Sequence, residues 1–186
     1  MGWAEVPVDT AEPAAGVILL SGIPGSGKST VAAALAARFA ASAHIEVDAL
    51  QDLIVSGGRL PTPERDEEAD RQIFLRARGA CLLAGSFVAA GFLPVVDDVV
   101  VRRAHLDFYR RWMTPRPPHF VVLAPGAAKA AERNRARDKT LTTDWSFLET
   151  AMREELADEG IWIDNAGLTV DRTVDAVLAA TGLTPS

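Results

Sequence analysis

The chain has 186 residues, 48% of them hydrophobic, with a formal net charge of -6 and a pI near 5.1. This length and apolar content suit one domain with a sizeable core, and the acidic balance argues against nucleic-acid partners, which demand a concentrated basic surface. One cysteine, Cys81, excludes an internal disulfide; no apolar run approaches the roughly 18 residues of a membrane span, and the first residues lack the pattern of a signal peptide, so cytoplasmic residence without membrane contact is expected.

Residues 1–15 carry Pro7 and Pro13 among small and acidic residues and read as a loose leader before a domain over 16–186. The aliphatic run Val17-Ile18-Leu19-Leu20 predicts a strand, and Val31, Leu35 and Phe39 predict a helix by their four-residue spacing. Between them, Gly22-Ile23-Pro24-Gly25-Ser26-Gly27-Lys28-Ser29-Thr30 fits G-x-x-x-x-G-K-[ST]. Glycines let such a loop turn its N–H groups inward around phosphates, Lys28 adds a mobile positive charge, Ser29 offers a hydroxyl to Mg²⁺, and the helix dipole points its positive end at the same place. ATP with Mg²⁺ is the expected ligand, held by Gly22, Gly25, Ser26, Gly27, Lys28, Ser29 and Thr30.

Further along, His44 to Asp48 reads as a second strand ending in a carboxylate, followed by a short helix through Ile54 and a break at Ser56-Gly57-Gly58. Ile73, Phe74, Ala77, Cys81, Ala84, Phe87 and Val88 repeat at helical spacing up to Gly91, with Cys81 as a buried small hydrophobe. Phe92 to Val96 is a third strand ending in Asp97-Asp98, and Pro94 suggests that pairing begins only after it. Then come a helix over 102–112, a strand over 120–123, an arginine-rich helix over 127–137 and an exposed loop over 138–143. A helix over 145–156, a fifth strand over 161–163 and a last helix capped by Thr169 complete the chain. Strands alternating with helices predict an α/β fold, a parallel sheet covered on both faces with ligands at the carboxyl ends of its strands.

The polar residues just after those strands are therefore the candidates for chemistry. Asp48 suits a general base that takes a proton from an attacking hydroxyl, or a cap on the helix that follows. Asp97 and Asp98 resemble an acidic strand end that holds Mg²⁺ with Ser29 or contacts substrate; a turn or cap is the alternative. Arg133 and Arg137 share a helix face and form a lid over about 127–143 that stabilises transferring phosphoryl charge, or else a solvated face paired with Glu132 and Asp138. His44 and His119 at strand starts, and His105 on a helix, lack the spacing of a zinc site.

Together the phosphate loop at 22–30, Val47-Asp48, Val95-Val96-Asp97-Asp98, the arginines at 133–137 and Asp-Asn-Ala-Gly-Leu-Thr-Val at 164–170 make the chain resemble small P-loop kinases, most nearly the chloramphenicol phosphotransferase-like group, over about residues 16–182. The resemblance implies the nucleotide-kinase type of parallel five-stranded sheet with a small Arg-bearing lid. It also implies Asp48 as base, lid arginines closing over ATP, Arg133 stacked on adenine, and Asn165 to Gly167 bordering the nucleotide. One departure concerns the acceptor: related kinases place an arginine three residues after the strand-end aspartate to hold an acceptor phosphate, and here that residue is Gln51. Residues 59–71 hold three arginines against Glu64, Asp66, Glu67, Glu68 and Asp70, so a neutral or cationic acceptor is expected.

The function that follows is an ATP-dependent, Mg²⁺-requiring phosphotransferase with a small-molecule hydroxyl acceptor, an antibiotic or secondary metabolite first among them. Arg102, Arg103, Tyr109 and Arg110 are candidate acceptor contacts. The alternatives are a nucleoside or polynucleotide 5′-hydroxyl kinase, and a nucleotide-dependent switch or ATPase without a small acceptor.

Overall fold

The computed structural model describes residues 14, 16–61, 66–115, 117–135 and 146–185. Nearly all of the expected leader, and residues 136–143 of the expected lid with Arg137 among them, lie outside these. The aliphatic run ending at Leu20 forms β1 (Ile18–Ser21), buried along its whole length as a central strand must be. It is joined by β2 (Ser42–Glu46), β3 (Leu93–Asp98), β4 (His119–Leu123) and β5 (Ile161–Ile163) in the order β2-β3-β1-β4-β5, every pairing parallel. The expected parallel five-stranded sheet is present.

Alternation along β1 divides the core in two. Val17 and Leu19 pack with α3 (Glu67–Ala89), α4 (Arg103–Trp112) and α6 (Ser146–Leu156), whereas Ile18 and Leu20 pack with α1 (Lys28–Ala36) and α7 (Val170–Thr181). On α3 the inward stripe is built of small residues, Ala77, Ala80 and Ala84, all fully buried, which lets the helix lie close against its neighbours. Cys81 lies in the same stripe, and burial pushes its thiol up to about 11, so it acts as the inert small hydrophobe expected. Two shorter helices, α2 (Val47–Gln51) and α5 (Ala127–Arg135), start beyond the carboxyl ends of β2 and β4. Among the described residues no helix is long and apolar enough to cross a membrane.

Several boundaries differ from the sequence expectation. The strand β2 stops at Glu46, so Asp48 lies in the first turn of α2, which itself ends at Gln51 rather than near Ile54. Helix α3 starts at Glu67, before any apolar repeat, because Asp66 accepts hydrogen bonds from the N–H groups of Glu68 and Ala69 and three acidic residues line the first turn. Pro94 already lies in the ladder, opposite Ala43 of β2, while pairing with β1 begins at Val95. The Leu93 N–H donates to Ala41 on the β2 side, so by alternation the missing N–H of Pro94 falls on the β1 side, where the ladder has not yet begun. At the far end Thr169 caps α7 as expected, and Gly182 closes it with φ 70°.

The close approach of α3 predicts that Ala84→Leu overpacks the core and costs about 1–3 kcal/mol. Urea unfolding should show a lower midpoint at unchanged slope; an unaltered midpoint would contradict the close packing.

Candidate active site

Because all five strands run the same way, their carboxyl ends form one edge, and the loop from Gly22 to Gly27 lies there between β1 and α1. Gly25 and Gly27 adopt φ of 88° and 92°, a region that side chains with a Cβ avoid. At Gly25 a Cβ would also stand 2.2 Å from the Ala130 carbonyl oxygen of α5, so this glycine is demanded by packing as well as by conformation. Helix α1 has no side-chain cap and no acidic residue in its first turn, which leaves its first N–H groups pointing outward. Lys28, the first residue of that helix, is only 8% exposed. Its nearest described counter-charge is Asp48 Oδ2 at 3.9 Å, too far for a hydrogen bond, so a nearly buried ammonium retains donors for another anion. These features fit a triphosphate. Ser29 is half-buried and Thr30 exposed on the same turn.

Asp48 is held by α2, whose position is fixed by the fully buried Val47. It is not the cap of that helix: the cap position is Glu46, and no side chain caps there. With its side chain 58% exposed, Asp48 faces two buried cations, Lys28 and, from the middle of α3, Arg76, whose Nη1 lies 4.0 Å from Asp48 Oδ1. Sequence reasoning missed Arg76. The signal was there, since position 76 falls on the buried stripe three residues after Ile73 and four before Ala80, where an arginine needs a reason.

The adjacent carboxylates of β3 point to opposite faces, as successive strand residues do. Asp97 is buried on the α1 side, where its Oδ1 accepts a 3.2 Å hydrogen bond from Ser29 Oγ and its Oδ2 lies 2.5 Å from His44 Nε2. A hydroxyl and one carboxylate suit Mg²⁺, which keeps several waters and takes its other ligands from phosphates; among the described residues no cluster of three metal-binding side chains exists. His44, set aside in the sequence as remote from the chemistry, thus touches the carboxylate beside the loop. Asp98 corrects a second expectation, because it faces away from Ser29. Its Oδ2 accepts from Tyr109 Oη at 2.7 Å and lies 3.2 Å from His105 Nε2 without the alignment of a hydrogen bond, and its Oδ1 accepts from the Val99 N–H at 2.7 Å. Asp98 is a brace between β3 and α4, and Asp97 alone of the pair meets Ser29.

Arg133 does not join a solvated face. Its Nη2 donates to the carbonyls of Asn165 at 2.8 Å and Ala166 at 3.3 Å, and its Nη1 to the carbonyl of Ser26 at 3.3 Å, while Glu132 pairs with Lys129 instead. Asn165 Nδ2 donates to the same Ser26 carbonyl at 3.0 Å, and the Asp164 carboxylate accepts from the Ala166 N–H at 2.9 Å, which shapes that loop. The phosphate loop, α5 and the segment after β5 are therefore tied at one carbonyl. Several expected acceptor contacts are otherwise engaged. Arg103 and Arg110 both pair with Glu159, Tyr109 is fully buried on Asp98, and Arg102 is exposed, 4.0 Å from Asp70. A depression of about 310 Å³ lined by Ala127, Phe147, Glu149, Thr150 and Arg153 contains none of the loop residues.

Burial, the largest influence on Asp98, pushes its carboxyl up, but the adjacent His105 ring and the hydrogen bonds from Tyr109 and Val99 together hold it below the ordinary 3.8. A depressed carboxyl favours the folded state above its unfolded value and loses that contribution as pH falls through its folded value. Asp98→Asn should therefore cost about 1–3 kcal/mol at pH 7, a deficit that narrows below about pH 4. Urea unfolding at both pH values checks this; a deficit independent of pH would contradict it.

A family model described as "AAA domain" matches residues 17–157. No match was found among curated proteins. Among solved structures the chain is similar to a sugar kinase from Janibacter sp. HTCC2649, with TM-score 0.71 and 20% identity over 91% of this chain and 96% of that one. It is similar also to the tunicamycin resistance protein of Deinococcus radiodurans, with TM-score 0.68 and 21% identity over 91% of this chain and 96% of that one. A gluconokinase from Sinorhizobium meliloti 1021 aligns with TM-score 0.62 and 24% identity over 90% of this chain and 91% of that one. At these identities the likeness is one of fold, the P-loop kinase fold of nucleotide and small-molecule kinases. The family match spans most of the sequence and includes the phosphate loop, and the chain belongs to the AAA domain family of P-loop proteins.

Proposed function

We propose that the protein is an ATP-dependent phosphotransferase that moves the γ-phosphoryl group to a hydroxyl of a small molecule, in the manner of the chloramphenicol phosphotransferase-like group. The observation that carries this reading is a reachable carboxylate, Asp48, 3.9 Å from the ammonium of the phosphate-loop lysine and free of any capping role. A kinase needs such a carboxylate beside its acceptor, and the kinases among the similar structures favour an organic hydroxyl over water as its partner. The similar structures, among them a sugar kinase, a gluconokinase and a tunicamycin resistance protein, support a small acceptor and keep an antibiotic or other secondary metabolite among the candidates.

In the proposed reaction the loop from Gly22 to Thr30 and Lys28 hold the phosphates. Asp48 orients the acceptor hydroxyl and takes its proton as the acceptor oxygen bonds to the γ-phosphorus and the bond to the ADP oxygen breaks. Ser29 and Asp97 would hold Mg²⁺, which would supply charge neutralisation on the phosphate oxygens. Arg133, already on the Ser26 carbonyl, supports the loop and brings positive charge over the departing diphosphate, with Arg137 as its partner on the lid. Asn165 fixes the same carbonyl from the nucleotide side.

Incubation with ATP and a panel of hydroxyl compounds, read as mass gain of one phosphoryl group, tests the reading. With a working acceptor, Asp48→Asn should keep near-normal ATP affinity while transfer falls roughly 10² to 10⁴-fold. An Asn variant as fast as wild type would remove Asp48 from the role of base. Arg133→Ala should slow transfer more than it weakens ATP binding, because charge over the diphosphate acts chiefly in the transition state. Wild-type transfer by Arg133→Ala would leave that arginine a purely structural brace.

A further inference from the structure

Arg76 is the charge that phosphate binding and proton transfer leave unused. Its side chain is nine-tenths buried in the middle of α3, yet its five N–H donors have little to hold. Nε donates to the Gln72 carbonyl at 3.4 Å, and Nη1 stands 4.0 Å from Asp48, outside hydrogen-bond distance. Among the described residues its polar contacts are the Gln72 carbonyl and Asp48, while Tyr109 donates to Asp98. Nearby arginines are spent differently, Arg78 over the Trp112 ring and Arg71 on Glu68. Withdrawing a guanidinium from water is costly unless its donors are met, and a long contact to a half-exposed carboxylate does not meet them.

Building on the proposed transfer at Asp48, we propose that Arg76 is an anion subsite for the acceptor, and that the acceptor is a hydroxy acid whose carboxylate seats on the Arg76 fork while its hydroxyl reaches Asp48. A planar guanidinium matches a carboxylate in two parallel hydrogen bonds. The short distance between Arg76 and Asp48 requires hydroxyl and carboxylate to lie a few bonds apart on one small molecule, as in a small hydroxy acid or a sugar acid. One fork balances one negative charge; a phosphate dianion would call for a second cation, and the neighbouring Lys28 is assigned to the nucleotide. Gln72, one turn earlier on α3, is not a competing contact, because its amide is held by Gly57, Glu68 and the Arg59 N–H and pins the 57–59 loop. The clamp that the sequence lacks at Gln51 is thus supplied from α3, and an acidic acceptor replaces the neutral or cationic one expected.

The test is the melting temperature of the full chain, saturated with Mg²⁺ and a non-hydrolysable ATP analogue, titrated at constant ionic strength with D-glycerate, D-gluconate and shikimate. Glycerol, sorbitol and glycerol 3-phosphate are the matched controls. Wild type should be stabilised saturably by at least one carboxylate and not by its neutral counterpart. Arg76→Gln should weaken that response about tenfold or more, and Arg76→Lys less. The analogue alone should stabilise wild type and both variants alike, which shows that they fold. No response to any carboxylate, an equal response in Arg76→Gln, an equal response to the neutral compounds, or a response to glycerol 3-phosphate alone would overturn the subsite. Failure of the analogue itself to stabilise wild type would instead fell the nucleotide reading, and the subsite with it.

Discussion

One ammonium group, that of Lys28, stands between the phosphate loop and Asp48, and the arrangement of the carboxyl edge depends on it. At 3.9 Å from the carboxylate and nearly buried, it is near enough to feel the charge and too far to be used up by it. Its place follows from backbone constraints: Gly27 in a left-handed conformation opens α1 with no side-chain cap, and Val47, buried under α2, sets Asp48 opposite. Both anchors depend on the parallel register that aligns Ser21 with Asp98 and Glu46 with Asp97.

The strand β3 shows how two neighbouring residues of one type come to do unlike work. Asp97 and Asp98 differ by one position and therefore by one face of the sheet. The first meets Ser29 and His44 beside the phosphate loop, where a metal-bound phosphate would lie; the second is enclosed with Tyr109 and His105 and steadies α4. A similar division holds on the opposite side of the loop. Arg133 and Asn165 converge on the Ser26 carbonyl, so the loop is held from α5 and from the end of β5 at once, and its shape is set before any phosphate arrives.

How much of this was readable in the sequence depends on the distance over which each feature is written. The phosphate loop is contiguous, so its residues and conformation were legible from the glycine spacing, and the sheet followed from aliphatic runs alternating with helical repeats. Boundaries set by polar residues, such as the start of α3 at its Asp66 cap, left no mark on the apolar periodicity. Opposite faces for Asp97 and Asp98 follow from strand geometry alone, yet which face holds Ser29 depends on where α1 crosses the sheet. His44 and Arg76 reach the site only through pairings between β2 and β3 and between α3 and its neighbours, contacts of long sequence separation that no local pattern specifies. For Arg76 a trace existed in its place on the apolar stripe, which marked it as buried without saying toward what.

The central claim is that phosphate leaves the nucleotide for an organic hydroxyl and not for water. The most direct measurement follows the label from ATP carrying radioactive phosphorus at the γ-position, with and without hydroxyl compounds, in wild type and Lys28→Ala. The account predicts label in an organic phosphate ester, formed by wild type only when an acceptor is present and lost in the variant. Release of the label solely as inorganic phosphate, at a rate indifferent to every acceptor, would contradict it and make the protein a nucleotide hydrolase or switch.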